Sequence, residues 1–301
     1  MEDREGRRDH LRCENTERWS VRFIVLTDTH FVPRGRMLYG LDPAQRLSAA
    51  VETINREHPD IDFAIVTGDL AHNGEAAAYE YLRSVLAKLR APVLLMLGNH
   101  DRRSAFRATF PEIAAGEGGF FQCVREFEDG TIIALDTLDE GNGTHAGRLC
   151  ASRLAFLERA LADASPEKAV LLFQHHPPFH TGLPHMDTIK LDRAEEEWEI
   201  IRRTRLPDFL FVGHVHRPVN GVWRGVPFQV QRALNHQVAF DLMTETFIPG
   251  SLEPPDYSLV SVNKRNIVVL QRSFLYDGPS FSLDDDSAVR AQAPEELRSR
   301  F

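Results

Sequence analysis

Three cysteines in 301 residues, Cys13, Cys123 and Cys150, form neither a CxxC pair nor an even set. A disulfide framework and a thiolate zinc site are therefore excluded, and a reducing compartment is favoured. Basic excess is missing too: 35 Lys and Arg stand against 44 Asp and Glu, for a net charge of −9. That balance offers no electrostatic footprint for a nucleic-acid duplex. No run approaches the ~18 apolar residues of a membrane span, and the opening MEDREGRRDHLRCENTERWS has no apolar stretch of the kind a secretion signal needs. The expectation is a cytoplasmic protein with no membrane partner. Internal repeats and low-complexity linkers are absent as well. The Gly-rich GEGG at Gly116 to Gly119 lacks the Lys-Ser/Thr of a phosphate loop and reads as a turn.

What is present is apolar sequence in short pieces. With 43% hydrophobic residues the chain can build a sizeable core. The first twenty residues are charged and aperiodic, which predicts a mobile arm over 1–20. From Val21 the runs VRFIVLTD, DFAIVTGD, PVLLMLGN, TIIALDT, AVLLFQHH and DFLFVGHVH alternate with helical patterns. Runs without alternation indicate strands buried on both faces, hence an α/β sheet between layers. Asp42 and Pro43 predict a helix start with Leu47, Ala50, Val51 and Ile54 inward. Further helices are expected over about Glu75 to Arg90 and from Ser152. Past Val219 the pattern turns to strands, with Asn220-Gly221 as a hairpin signal and VWRGVPFQVQRAL, HQVAFDLM, YSLVSV and NIVVLQRSFLY as strand candidates. One domain over 21–281 is expected, followed by a solvated tail over 282–301 that carries Asp284 to Asp286.

The informative residues stand where the apolar runs stop: TDTH (Asp28, His30), TGDL (Asp69), GNHD (Asn99, His100, Asp101), QHHPP (His175, His176) and GHVH (His214, His216). Carboxyl ends of strands in an open α/β sheet share one edge, where ligands bind. Each of these residues alone reads most simply as hydrogen-bonded structure, but five such coincidences do not. Within DxH or HxH, positions i and i+2 project to one side of an extended segment. Two carboxylates, an amide and several imidazoles without thiolates suit Mn²⁺, Fe or Zn²⁺. Their number exceeds the needs of one tetrahedral ion and matches two ions sharing a bridging carboxylate.

The ordered set DxH, GD, GNHD, HHPP and GHVH resembles the calcineurin-like metallophosphoesterase family over roughly Val21 to Asp241. Within it, GHVHR and the later NHQVA segment are similar to bacterial class III cyclic-nucleotide phosphodiesterases and glycerophosphodiesterases. The resemblance implies a four-layer αββα sandwich with the site at the strand ends. It implies that Asp28, His30 and His216 hold one divalent ion, that Asn99, His175 and His214 hold a second, and that Asp69 bridges them. It prefers His175 over His176 because the ligand in related enzymes stands two residues before proline. His100 would act at the substrate phosphate, with Asp101 orienting it, and His72, Asn73 and His236 are candidate substrate contacts. HTGLPHMDTIKLD, His180 to Asp192, is either part of the pocket rim or a plain connector. The terminal strands are available for contacts between copies, as in related phosphodiesterases.

The chemistry implied is hydrolysis by two ions about 3.5–4 Å apart, which lower the pKa of a bridging water and neutralise charge at phosphorus. Related protein phosphatases carry arginine just before GNH and in the segment after GD, where guanidinium forks grip a monoester. Here those places hold Leu97 and LAHNGE, Leu70 to Glu75. A small phosphodiester, a 3',5'-cyclic nucleotide or a glycerophosphodiester, is therefore the expected substrate. The alternatives are a phosphomonoesterase and a non-catalytic scaffold of the same fold, the latter disfavoured because every motif position keeps a competent donor.

Overall fold

The computed structural model describes residues 19–141, 143–276 and 278. The predicted arm up to residue 18 and the predicted tail from residue 282 lie outside them. Ser20, assigned to the arm by the sequence, is tied to the first sheet, since its amide and hydroxyl both donate to the Val262 carbonyl, at 2.9 and 3.0 Å.

Eleven strands form two large sheets. Along the chain they are β1 (Val21–Leu26), β2 (Phe63–Val66), β3 (Val93–Leu95), β4 (Cys123–Phe127), β5 (Gly130–Ala134), β6 (Ala169–Gln174), β7 (Phe209–Val212), β8 (Val219–Trp223), β9 (Val226–Val230), β10 (Tyr257–Val262) and β11 (Ile267–Arg272). The first sheet has the order β11-β10-β1-β2-β3 and the second β8-β9-β7-β6-β5-β4. In each sheet the strands that approach the site are parallel: β1, β2 and β3 in one, and β5, β6, β7 and β9 in the other. Antiparallel strands lie at the borders.

The run VRFIVL divides between two cores. Ile24 and Leu26 face an outer core with Leu47, Val51 and Ile54 of α1 (Pro43–Glu57), Tyr79 and Leu82 of α2 (Ala76–Leu86) and Phe106 of α3 (Arg103–Thr109). Val21, Phe23 and Val25 face inward to Leu171, Phe173 and Phe211 of the second sheet. On the far side, Leu172 and Leu210 pack against Leu157 of α4 (Ala151–Asp163) and Ile201 of α5 (Ala194–Thr204). Helices, sheet, sheet and helices are the four layers expected. The inner layer is aromatic: the Phe173 and Phe211 rings stack at 4.5 Å and Phe23 approaches Phe173 at 6.2 Å.

Local signals set several boundaries. The Asp42 side chain accepts the Ala44 amide at 2.9 Å, capping α1 as its sequence predicts. Helix α2 ends at Leu86, short of the predicted Arg90, because the Lys88 and Leu89 amides bond only three residues back, to Val85 and Leu86. The hairpin between β8 and β9 turns at Arg224-Gly225 and not at Asn220-Gly221, which lies within β8 paired to Gln229 and Phe228. Both Arg224 and Gly225 have positive φ, 50° and 93°, the signature of a tight hairpin turn. Of HQVAFDLM only Gln237–Val238 pairs, with Gly250–Ser251.

Candidate active site

Asp28 and His30 follow β1, Asp69 follows β2, Asn99 and His100 follow β3, His175 follows β6, and His214 and His216 follow β7. Both sheets therefore deliver donors to one edge. The backbone bends sharply there. Eight described non-glycine residues have positive φ, and five of them are Asp28, His30, Asp69, His214 and His216, at 45–67°. Such conformations are sparsely populated and persist only where surrounding bonds hold them. Those bonds are present: Asp28 N donates to Gly68 O at 3.0 Å, His30 N to Asp69 O at 2.9 Å, and Leu234 N to Thr27 O at 3.0 Å.

One ligand atom from each of Asp28, His30, Asp69 and His216 lies within 4.8 Å of the others. His30 Nε2 is 3.0 Å from His216 Nε2 and 3.6 Å from Asp69 Oδ2, and His216 Nε2 is 3.1 Å from Asp28 Oδ1. On its other side Asp69 Oδ2 is 3.4 Å from His175 Nε2, and His214 Nδ1 lies 2.8 Å from Asn99 Oδ1. Asp69 thus stands between two groups of donors. The second Asp28 oxygen is held by Thr27 Oγ1 at 2.6 Å and the His214 amide at 3.1 Å, and Thr67 Oγ1 donates to Thr27 Oγ1.

Several of these atoms are buried without a hydrogen-bond partner: Asp28 Oδ1, His175 Nε2 and His214 Nε2. Buried polar atoms are rarely left so unless something else satisfies them. His175 Nδ1 donates to the Thr67 carbonyl at 2.9 Å, and His216 Nδ1 to the His236 carbonyl at 2.8 Å. Their Nε2 atoms consequently face carboxylates, an arrangement relieved by a proton on the ring or by a bound cation. Burial pushes the His175 pKa down, yet the Asp69 and Asp28 carboxylates override it and raise it to about 9. His216 is likewise raised against burial by Asp28. Asp69 is held well below the usual carboxylate range, its burial outweighed by His175, His100 and His30. The donor set and its unsatisfied atoms fit divalent cations.

His176 differs from its neighbour. Its Nδ1 meets Thr137 Oγ1 at 2.8 Å and its Nε2 donates to the His145 carbonyl at 3.2 Å, so both ring nitrogens are engaged as braces. His100 is fixed from two sides: its amide donates to Asp69 Oδ1 at 2.8 Å and its Nδ1 to the His72 carbonyl at 2.7 Å. Asp101 does not orient His100 as the sequence reading expects. Its carboxylate turns inward and accepts the amides of Leu70, Ala71 and Gly98 and the Tyr79 hydroxyl, stitching the loop after β2 to the loop after β3. Burial, reinforced by Asp69, raises its pKa to about 7.

The site opens into a cavity of about 590 Å³. His72 and His236 line it, as expected, and burial lowers the pKa of both. Asn73 does not: it is exposed, and its carbonyl accepts Arg102 Nε. Met186 and Ile189 bring the His180 to Asp192 segment to the cavity wall, which Ile248 and Leu252 also line. Sequence reasoning missed His145 and Tyr39, both on the cavity wall. Tyr39 meets the His236 ring edge-on at 4.6 Å. Among the described residues that line the cavity none is Lys or Arg. No described helix is long and apolar enough to cross a membrane.

Comparison with known proteins agrees with this geometry. Over 269 residues the chain is 63% identical to a protein of Rhodopseudomonas palustris named a probable cyclic nucleotide phosphodiesterase, covering 89% of this chain and 98% of that one. It is 30% identical over 261 residues to a probable glycerophosphodiester phosphodiesterase of Arcobacter nitrofigilis, covering 85% and 94%. A dimetal phosphatase from Danio rerio shares the fold, with a TM-score of 0.65 at 14% identity over 86% of this chain and 98% of that one. Residues 21–218 match the family model described as calcineurin-like phosphoesterase. With two sheets delivering the family's ordered donors to one edge, the chain belongs to the calcineurin-like phosphoesterases.

Proposed function

We propose that this chain is a binuclear metal phosphodiesterase acting on a small diester, a 3',5'-cyclic nucleotide or a glycerophosphodiester. The observation that carries the reading is a donor cluster split by Asp69 beneath a cavity with no Lys or Arg among the described residues that line it. Asp28, His30 and His216 would hold one ion, Asn99, His175 and His214 the second, with Asp69 shared. Bound there, two divalent ions supply a nucleophile at neutral pH and neutralise charge at the phosphoryl oxygens. A monoester carries about −1.5 to −2 charge near neutrality and is usually gripped by guanidinium forks. A diester carries a single charge and a second ester group, and a wide cavity whose lining includes the apolar Met186, Ile189, Ile248 and Leu252 has room for that group.

The chain's own residues then have distinct tasks. His72 and Asp69 fix the His100 ring and backbone; with Nδ1–H bonded to the His72 carbonyl, Nε2 donates to a phosphoryl oxygen or to the departing alkoxide when the ring is an imidazolium, a role typically worth about 10²–10⁴-fold. Thr27 and Thr67 hold Asp28 in its bent conformation, and Asp101 locks the two loops that carry Asp69 and Asn99. His236 and Tyr39 form a wall for the ester group. The two named relatives support the substrate class.

The test is a panel of aryl diesters, aryl monoesters, cyclic nucleotides and glycerophosphodiesters, assayed alongside metal analysis of the same sample. About two transition-metal ions per chain are expected, with diester turnover above monoester turnover and loss of activity on chelation. A fully active protein holding one ion, or monoesters turned over faster than every diester, refutes the reading.

A further inference from the structure

Asn99 poses a problem of orientation. Its amide has a face that accepts and a face that donates, and only the oxygen face suits the acceptor position beside His214. The two flanking rings fix the choice together once His214 meets its ion through Nε2 and carries its hydrogen on Nδ1. Asn99 Nδ2 lies 2.8 Å from Nδ1 of His145, while Asn99 Oδ1 lies 2.8 Å from His214 Nδ1. An amide NH₂ only donates, so His145 Nδ1 must accept and the hydrogen of that ring sits on Nε2. The same ring stacks on His100, with centroids 4.8 Å apart and planes at 23°, and His100 stacks on His72 at 4.9 Å and 18°.

The loop that presents this ring is pinned. Near its start, buried Asp136 is gripped by Arg103 at 2.6 and 2.8 Å, and the Leu138 carbonyl accepts from Arg103 and Arg153. At its end, His176 Nε2 donates to the carbonyl of His145 itself. The second histidine of HHPP, which ligates nothing in the two-ion reading, thereby acquires a task.

We propose that His145 is a positioning residue that locks the Asn99 amide with its oxygen towards the second cation site and holds the plane of His100. The proposal rests on the two-ion reading above. Replacement of outer partners of metal ligands typically costs about 10–100-fold in metal affinity. His145→Phe keeps a ring to stack on His100 but has no acceptor, whereas His145→Gln keeps an acceptor oxygen and gives up the ring.

Mn²⁺ titration of the metal-stripped protein, with steady-state turnover of a nitrophenyl diester at saturating metal, separates these terms. His145→Phe is expected to weaken one of the two ions about tenfold or more, to leave the other unchanged and to leave KM near the wild-type value. His145→Gln should recover most of the lost affinity. In an Asn99→Ala background His145→Phe should have no further effect on metal binding, because the two side chains act as one unit. Wild-type affinity for both ions in His145→Phe, no recovery in His145→Gln, or a full effect that persists in Asn99→Ala would each overturn the proposal while leaving the two-ion reading intact. Wild-type protein that binds a single ion overturns both together.

Discussion

Gly98 sits at a point where the chain has no room for a single methyl group. A Cβ built on it would lie 2.5 Å from the Asp69 amide nitrogen, 2.6 Å from His175 Nε2 and closer still to Asp69 Oδ1, whereas ordinary contact begins at 3.4 Å. Gly98→Ala must therefore move Asp69 or the loop after β3 by about 1 Å, and a misplacement of that size is enough to cost ~10²-fold in rate. The loop is not free to yield, because the Gly98 amide is bonded to Asp101 Oδ2 at 2.8 Å and Asp69 Oδ1 to the His100 amide. A hundredfold loss in kcat/KM corresponds to about 2.7 kcal/mol of transition-state stabilisation. Overpacking adds a stability cost of roughly 1–3 kcal/mol, read as ~2–4 °C of Tm per kcal/mol for a domain of this size. The assay is diester turnover and metal content measured beside a thermal melt, with Gly116→Ala as control, since a Cβ there meets nothing nearer than 3.6 Å. If Gly98→Ala binds both ions with wild-type affinity and turns over at the wild-type rate, the close packing described around Asp69 is wrong.

His100→Ala should retain both ions and lose two to four decades of kcat, about 2.7–5.4 kcal/mol. Its loss should be larger for a ribose or glycerol diester than for a nitrophenyl diester, and equal losses would assign the ring to phosphoryl stabilisation instead. Asp69→Asn should damage metal assembly more than Asn99→Ala, because Asp69 faces both donor groups; metal titration in the reverse order removes it from the bridging position. Glu197 is buried with one oxygen unpartnered, and burial raises its pKa to about 8 despite the Gln174 amide. The folded protein then holds a proton that the unfolded chain releases near 4.5, so this group's contribution is full below about pH 4.5 and is lost as pH rises through about 8. Glu197→Gln should therefore gain Tm relative to wild type between pH 5 and pH 8, and a difference that stays flat across that range contradicts the assignment.

The parts of this molecule that a sequence reveals are those where residue type and chain position coincide. Strands buried on both faces have to be continuous apolar runs, and donors at their carboxyl ends have to meet, so Asp28, Asp69, Asn99, His175 and His214 announce themselves together. Direction is less legible. Nothing in GNHD says that His100 faces the cavity while Asp101 turns back to three amides and a tyrosine hydroxyl. Asn220-Gly221 is a strong turn signal in isolation, yet pairing with β9 keeps it inside a strand and moves the turn to Arg224-Gly225. His145 escaped because it stands in a loop, two residues before the short strand Gly147–Arg148 and not at the carboxyl end of an apolar run. The clue was indirect: TIIALDT alone among the six early runs ends without a donor for the site, and its Asp136 is spent on Arg103. The loop that follows brings the missing side chain.

The aromatic layer between the sheets also acts as a ruler. Asp28, Asp69 and Asn99 are carried by one sheet and His175, His214 and His216 by the other, and Phe23, Phe173 and Phe211 set the gap between those sheets. In the two-ion reading, ion spacing is then a bulk property of packing, inherited from rings buried between the sheets. Metal preference and rate become tunable from the core: trimming or enlarging one of those phenylalanines rescales the whole edge at once, whereas a ligand substitution deletes one coordinate of it. Drift in a lineage of such enzymes can accordingly alter catalysis while every recognisable motif stays intact.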